Sequence, residues 1–281
     1  MNFKKFFFIL NLFFFILTET PEKIFAEEKN FSVTCSLFPV YDFTREIAGD
    51  FADIHLLLKP GAEPHEFEPT PLDIKILNNS DVFIFTNASM EEWAKKISLS
   101  LKNVHVVDAS EGVEIFNNDP HIWLDLDNAQ KMVMNIAGKL SETKPELSEI
   151  FMRNAEDYCG KLKELDKKFS GLNKKTLVFA GEFAFGYFIR RYGFDFISAY
   201  DGENEPSLKK MAEILKFINE NRIKFIFAES FGLSAITRSI AEQTGAEILF
   251  FDSGEKIPQE NFTFLKLMQS NYEALKKFID E

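Results

Sequence analysis

Histidines are few in this sequence, and two of the four sit in a distinctive setting. His65 and His121 each follow a proline, in Gly61-Ala62-Glu63-Pro64-His65 and in Asp119-Pro120-His121. Each lies in a loop after an apolar, strand-like run, and strand carboxyl ends are where open α/β sheets present groups to a ligand. His55 and His105 lie within strand-like runs between apolar neighbours and are read as core or edge histidines. Two carboxylates hold matching places in the second half of the chain. Glu182 follows Thr176-Leu177-Val178-Phe179-Ala180, and Asp252 closes Ile248-Leu249-Phe250-Phe251. Imidazoles combined with carboxylates suit a divalent transition metal. Taken singly, each residue has a plainer reading. Glu182 fits a helix N-terminus, Asp252 fits a turn before Ser253-Gly254, and either histidine fits a satisfied loop position. No HExxH, Gly-x-Ser-x-Gly or Cys-His arrangement supplies a catalytic set.

The elements that must position these groups alternate in type. Strands are expected at Phe31 to Leu37, Ile54 to Lys59, Asp81 to Thr86 and Val104 to Val107. Helices are expected at Tyr41 to Gly49, Pro71 to Asn78, Met90 to Leu101 and Asp127 to Leu140. That spacing implies parallel α/β architecture. Residues 145–169 differ in kind, because Leu147, Ile150, Phe151, Ala155, Tyr158, Leu162, Leu165 and Phe169 follow a helical period with no strand-like interruption. Strands and helices then alternate again to the C-terminus. The expected fold is therefore α/β, with two lobes, each a mainly parallel sheet flanked by helices, joined by one long helix. The expected divisions are a signal peptide at 1–26, a metal-binding lobe at 27–143, a connecting helix at 144–170 and a second metal-binding lobe at 171–281.

Composition narrows the partners. With 281 residues, 46% hydrophobic and 27% charged, the chain has the balance of a folded protein. Its 32 Lys plus Arg against 44 Asp plus Glu give a formal net charge of -12, which disfavours nucleic acid and suits a cation. Lys4 and Lys5 precede an uncharged, mostly apolar run from Phe6 to Leu17, followed by polar residues, the pattern of a secretory signal. That run is short of the roughly 20 residues needed to cross a bilayer, so cleavage after Ala26 is expected, despite the bulky Ile24 at the −3 position. No cysteine precedes Cys35, so no lipid acceptor is expected at the mature N-terminus. Cys35 and Cys159 are read as free thiols, with a bridge between them as the alternative, Trp93 and Trp123 as core aromatics, and Arg190 and Arg191 as salt-bridged or solvated. The 33 phenylalanines occupy places where Leu or Ile would serve.

Several segments together resemble one family. Gly61 to Pro71 is similar to the first metal-histidine segment of the zinc and manganese solute-binding proteins of bacterial ABC importers, and Asp119-Pro120-His121-Ile122-Trp123-Leu124-Asp125 to their second. Ala184 to Phe188 with Arg190 to Gly193, Glu205-Pro206-Ser207 and Phe227-Ala228-Glu229 resemble further landmarks, in the right order from about Phe31 onward. The resemblance implies that His65, His121, Glu182 and Asp252 are the ligands, the first two from one lobe and the others from the second, with metal captured in the cleft and delivered to an ABC permease. Zinc-type members usually carry a third histidine where this chain has Glu182. A carboxylate there hardens the set, so manganese is the expected cargo, with zinc or ferrous iron as alternatives. The absence of a His-rich insertion between Val107 and His121 points the same way. Leu126 stands where the family commonly has proline. A non-enzymatic, monomeric, exported binding protein is expected; a secreted metalloenzyme and a metal-containing adhesin are the competing readings.

Overall fold

The computed structural model describes residues 31–181, 183–200, 206–231, 233–255 and 262–281. The expected signal segment and Glu182 lie outside the described residues. The first half runs β1 (Ser32–Cys35), α1 (Phe38–Ala48), β2 (Asp53–Leu56), α2 (Pro71–Asn78), β3 (Val82–Phe85), α3 (Glu92–Ser98) and β4 (His105–Asp108). Its four strands form a parallel sheet in the order β2-β1-β3-β4. Every residue of β3 is buried, whereas β2 and β4 alternate exposed and covered positions. This contrast is that of a sheet centre covered on both faces against its edges. His55 and His105 are both exposed, on the two edge strands.

Two long helices follow, α4 (Leu126–Thr143) and α5 (Ser148–Ser170). Asp125 caps α4 by accepting from the backbone N–H groups of Asp127 and Asn128, so the helix begins cleanly at Leu126 without a proline. The connecting helix α5 spans 23 residues and buries Phe151, Ala155, Tyr158, Leu162, Leu165 and Phe169 along one face. The apolar pattern expected from Pro145 includes a short 3₁₀ turn, Pro145–Leu147, before α5 proper.

The second half repeats the first: β5 (Thr176–Phe179), α6 (Gly186–Tyr192), β6 (Asp195–Ser198), α7 (Leu208–Glu220), β7 (Phe225–Ala228), α8 (Ala235–Thr244), β8 (Glu247–Phe250) and α9 (Phe264–Asp280). Its sheet is again parallel, in the order β6-β5-β7-β8. One apolar cluster joins the halves, running from Val33, Phe43 and Trp123 through Phe151 and Leu162 of α5 to Phe179, Phe227 and Phe251. Many of the phenylalanines meet here, with Phe251 edge-on to Phe179, Phe185 and Phe188. Separating the two sheets would expose this surface, at about 25 cal/mol for each Å².

Asp42 of α1 lies inside this joint. Its carboxylate accepts from the Phe264 N–H at the start of α9 (2.8 Å), from Arg45 Nη2 (2.8 Å) and from the Tyr158 hydroxyl of α5 (3.4 Å). Burial outweighs these donors and pushes Asp42 from its ordinary 3.8 up to about 6. The folded protein thus holds this proton more tightly than the unfolded chain does. Stability from this group is present below pH 4 and is lost as pH rises through 6, by about 3 kcal/mol at most. Denaturant melts of parent and Asp42→Asn at pH 5 and pH 7 should differ in slope, the uncharged variant losing less stability on going to pH 7. Equal slopes would show that another group sets the dependence.

Candidate metal centre

His65 is delivered by the loop after β2. Gly61 turns the chain at φ 84°, where L side chains are strained, and a Cβ there would lie 3.3 Å from the Phe231 ring. Beyond the histidine, Thr70 and Asp73 cap each other reciprocally at the start of α2, with Pro71 at the first helical position, which ends the loop. The ring is half-buried.

His121 is held more tightly. Pro120 C=O accepts from Asn87 Nδ2 (2.8 Å), tying the loop to the end of β3. Asp119 Oδ1 accepts from the His121 backbone N–H (3.0 Å) and pairs with its Nδ1 (2.6 Å). A carboxylate on Nδ1 fixes the ring orientation and leaves Nε2 as the donor. Behind it, Ile122, Trp123 and Leu124 are fully buried in a 3₁₀ turn. The two histidines therefore reach the site from opposite sides of the sheet, after edge strands β2 and β4, with their ring centroids 5.7 Å apart.

The third group is Glu255. It follows β8 through Asp252, Ser253 and Gly254, the last at φ 85°. Its carboxylate pairs with His121 Nε2 and lies 3.2 Å from His65 Nε2. One ligand atom from each of His65, His121 and Glu255 falls within 4.8 Å of the others, and this is the metal-capable group among the described residues. The electrostatics follow from the contacts. Burial alone would depress His121, but the Glu255 charge and the Asp119 bond raise it to about 10. Burial would raise Glu255, yet the two imidazoles hold it well below the usual carboxylate range. Nearby Glu229 is pushed up to about 7 by burial and by the charge of Glu255.

Asp252 is placed differently. Its carboxylate accepts from the Ser230 N–H (2.7 Å) and hydroxyl (2.9 and 3.0 Å), which fastens the end of β8 to the end of β7, and it is not part of the histidine group. Burial raises it from its ordinary value, against the Ser230 donors. Glu255 is the metal-capable residue of this group that sequence reasoning did not name. Its signal was the Ser253-Gly254 turn, because a left-handed glycine redirects the chain and the next side chain is aimed by it.

The other singled-out residues resolve as follows. Both cysteines are free, Cys35 buried and Cys159 half-buried. Trp123 is wholly buried, and Trp93 packs on Phe67 and Phe83. Arg191 binds Asp166 of α5 through Nε and Nη2, both at 2.7 Å, and Asp125 through Nη1 at 2.8 Å. Arg190 stacks over the Phe116 ring, 3.2 Å from its centroid.

Two parallel α/β sheets are joined by a long helix, and imidazoles from one half face a carboxylate from the other. The chain belongs to the family described as the periplasmic zinc-uptake complex component A, whose model matches residues 33–278. It is 28% identical to the high-affinity zinc uptake system protein ZnuA of Bacillus subtilis over 274 residues, covering 87% of this chain and 86% of that one. It is 29% identical to the zinc-binding lipoprotein AdcA of Streptococcus pneumoniae over 280 residues, but spans only 56% of that protein. The Zn(II)-bound ZnuA-like domain of AdcA superposes with a TM-score of 0.79 at 30% identity, covering 90% of this chain and all of that one. Being a metal-binding transport component is thus a property of the family to which the chain belongs.

Gly186, at the start of α6, touches the Asp119 carboxylate so closely that a Cβ would collide with Oδ2. Gly186→Ala should swing Asp119 away and free the His121 ring, while alanine favours the helix itself. The expected result is about 10-fold weaker metal binding, by calorimetric titration, without a lower apo melting temperature. A loss of both together would mean that the glycine serves the fold.

Proposed function

We propose that this chain is an exported binding protein that captures a divalent transition-metal ion, zinc foremost, and passes it to an ABC permease. The observation that carries the reading is the convergence of His65, His121 and Glu255 from the two halves of the chain. Two imidazoles and one carboxylate form a donor set that zinc accepts, with Glu182, which follows β5 in the sequence, proposed as a further donor. Asp252 then acts on the site by fastening the loop that carries Glu255. Residues 27–143 and 171–281 are the two lobes in this reading and 144–170 their connection. The shared apolar cluster keeps their relative motion small. Export rests on the leader pattern and on the family, and no described helix is long and apolar enough to cross a membrane.

The choice of metal turns on two opposing considerations. Glu182 in place of a histidine favours manganese, which prefers oxygen donors and higher coordination numbers. The relatives named above are zinc proteins, and raw affinity for such sites rises from manganese to zinc. We therefore place zinc first and keep manganese as the second reading, on the strength of Glu182 alone.

Metal content of protein purified without added metal, followed by zinc–manganese competition, separates the two. Glu182→His should move the ratio of dissociation constants further towards zinc; an unchanged ratio would mean that Glu182 does not set selectivity. Adding zinc should raise the melting temperature of the parent strongly through linkage, and that of His121→Ala and Glu255→Ala far less. Parent-like shifts in Glu255→Ala would remove Glu255 from the ligand set.

A further inference from the structure

The Ser253 backbone is gripped from both halves of the molecule. Its carbonyl accepts a 2.7 Å hydrogen bond from the indole N–H of Trp123, 130 positions away, and its N–H donates at 2.7 Å to Glu229 Oε1. Ser253 is fully buried, and its hydroxyl accepts from the Glu255 backbone N–H (3.3 Å). The turn beyond it is tight as well, since a Cβ on Gly254 would lie 3.2 Å from Leu267. Trp123 stands two residues after His121, and the two rings lie edge-on, with centroids 5.5 Å apart. The indole therefore touches the His121 ring on one side and bonds the loop bearing Glu255 on the other.

A buried indole N–H needs an acceptor wherever it lies, so what carries information here is which acceptor it takes. Here the N–H is directed across the two halves at the Ser253 carbonyl, and the N–H of the same residue is met by the carboxylate of Glu229, just after β7. We propose that Trp123 and Glu229 are positioning residues for metal capture, which set Glu255 against His121 by holding the Ser253 backbone between the two lobes. The proposal rests on the metal-binding reading given above. It assigns Glu229 the work of an acceptor, not of a charge near the metal. Groups behind a metal's donors act mainly on how long the metal stays, because they keep the donors from parting.

Zinc alone is the probe, with release followed by stopped-flow mixing of the zinc-loaded full chain with excess chelator. Trp123→Phe and Glu229→Ala should each release zinc about 10-fold faster, with association changed by no more than about twofold. Glu229→Gln keeps an oxygen for the Ser253 N–H and should release zinc at nearly the parental rate. Both contacts hold the backbone of one residue, so the double variant Trp123→Phe with Glu229→Ala should lose less than the product of the single effects. Apo melting temperatures report any general damage to the fold. Parental release in Trp123→Phe and Glu229→Ala would overturn the proposal even if their melting temperatures fall. A Glu229→Gln variant as fast as Glu229→Ala would also overturn it, by showing that the charge and not the bond matters. A parent that takes up no zinc would overturn the cargo reading itself, a result distinguishable from either of these.

Discussion

A carboxylate facing two imidazoles across the joint between the halves is the constraint to which the rest of the structure answers. Glu255 meets both His65 and His121 although the three lie far apart in sequence. Burying such a charge is costly unless it is paired, and one partner arriving late or at a poor angle leaves the penalty in place. The pairing therefore demands that two sheets and three loops be set relative to one another to within a fraction of a bond length. Polar contacts that run between the halves, such as Trp123 to Ser253 and Tyr187 to Glu114, answer that demand.

The joint meets the demand by several independent fastenings. Arg191 of α6 reaches the connecting helix at Asp166 and the cap of α4 at Asp125, and a planar guanidinium fits the carboxylate of Asp166 through two parallel bonds. Tyr187 accepts from the Phe116 N–H and donates to the Glu114 carbonyl, fixing α6 to the loop that leads into His121. Asp42 ties α1 to the first turn of α9. These bonds flank an apolar cluster common to both halves, so a hinge opening would break directed bonds and expose aromatic surface together. Motion confined to loops is cheaper. Within the site, His121 is braced from Asn87, Asp119 and the buried turn behind it, and the Glu255 loop is braced through Ser253.

The architecture was legible because buried parallel strands must be apolar throughout, and Val82–Phe85 and Phe225–Ala228 are. Helix ends were readable wherever a side chain makes the cap, as at Thr70 and Ser207, and less so at α1, which begins at Phe38 on a proline, three residues before the expected start. His65 and His121 were legible because proline and glycine fix the loops before them. Glu255 was not, since the strand-end rule stops at the first carboxylate, Asp252, and only the three-dimensional turn shows that this side chain is drawn to Ser230. The role of Trp123 was hidden for a related reason. Burial of an indole is written in the apolar pattern, but the direction of its N–H depends on a loop 130 residues away.

Environment gives the neighbouring carboxylates distinct behaviour. Glu255, Glu229 and Asp252 share one small region, and burial works against the charged form of all three. Only Glu255 has imidazoles in front of it, and only Glu255 falls well below the ordinary range, while the other two rise. Charge is thereby concentrated on the one oxygen pair that faces the histidines, and the carboxylates behind it serve as hydrogen-bond acceptors for Ser253 and Ser230. One carboxylate thus faces the two imidazoles while the other two fasten the loop that carries it, the division that the proposed capture of a metal requires.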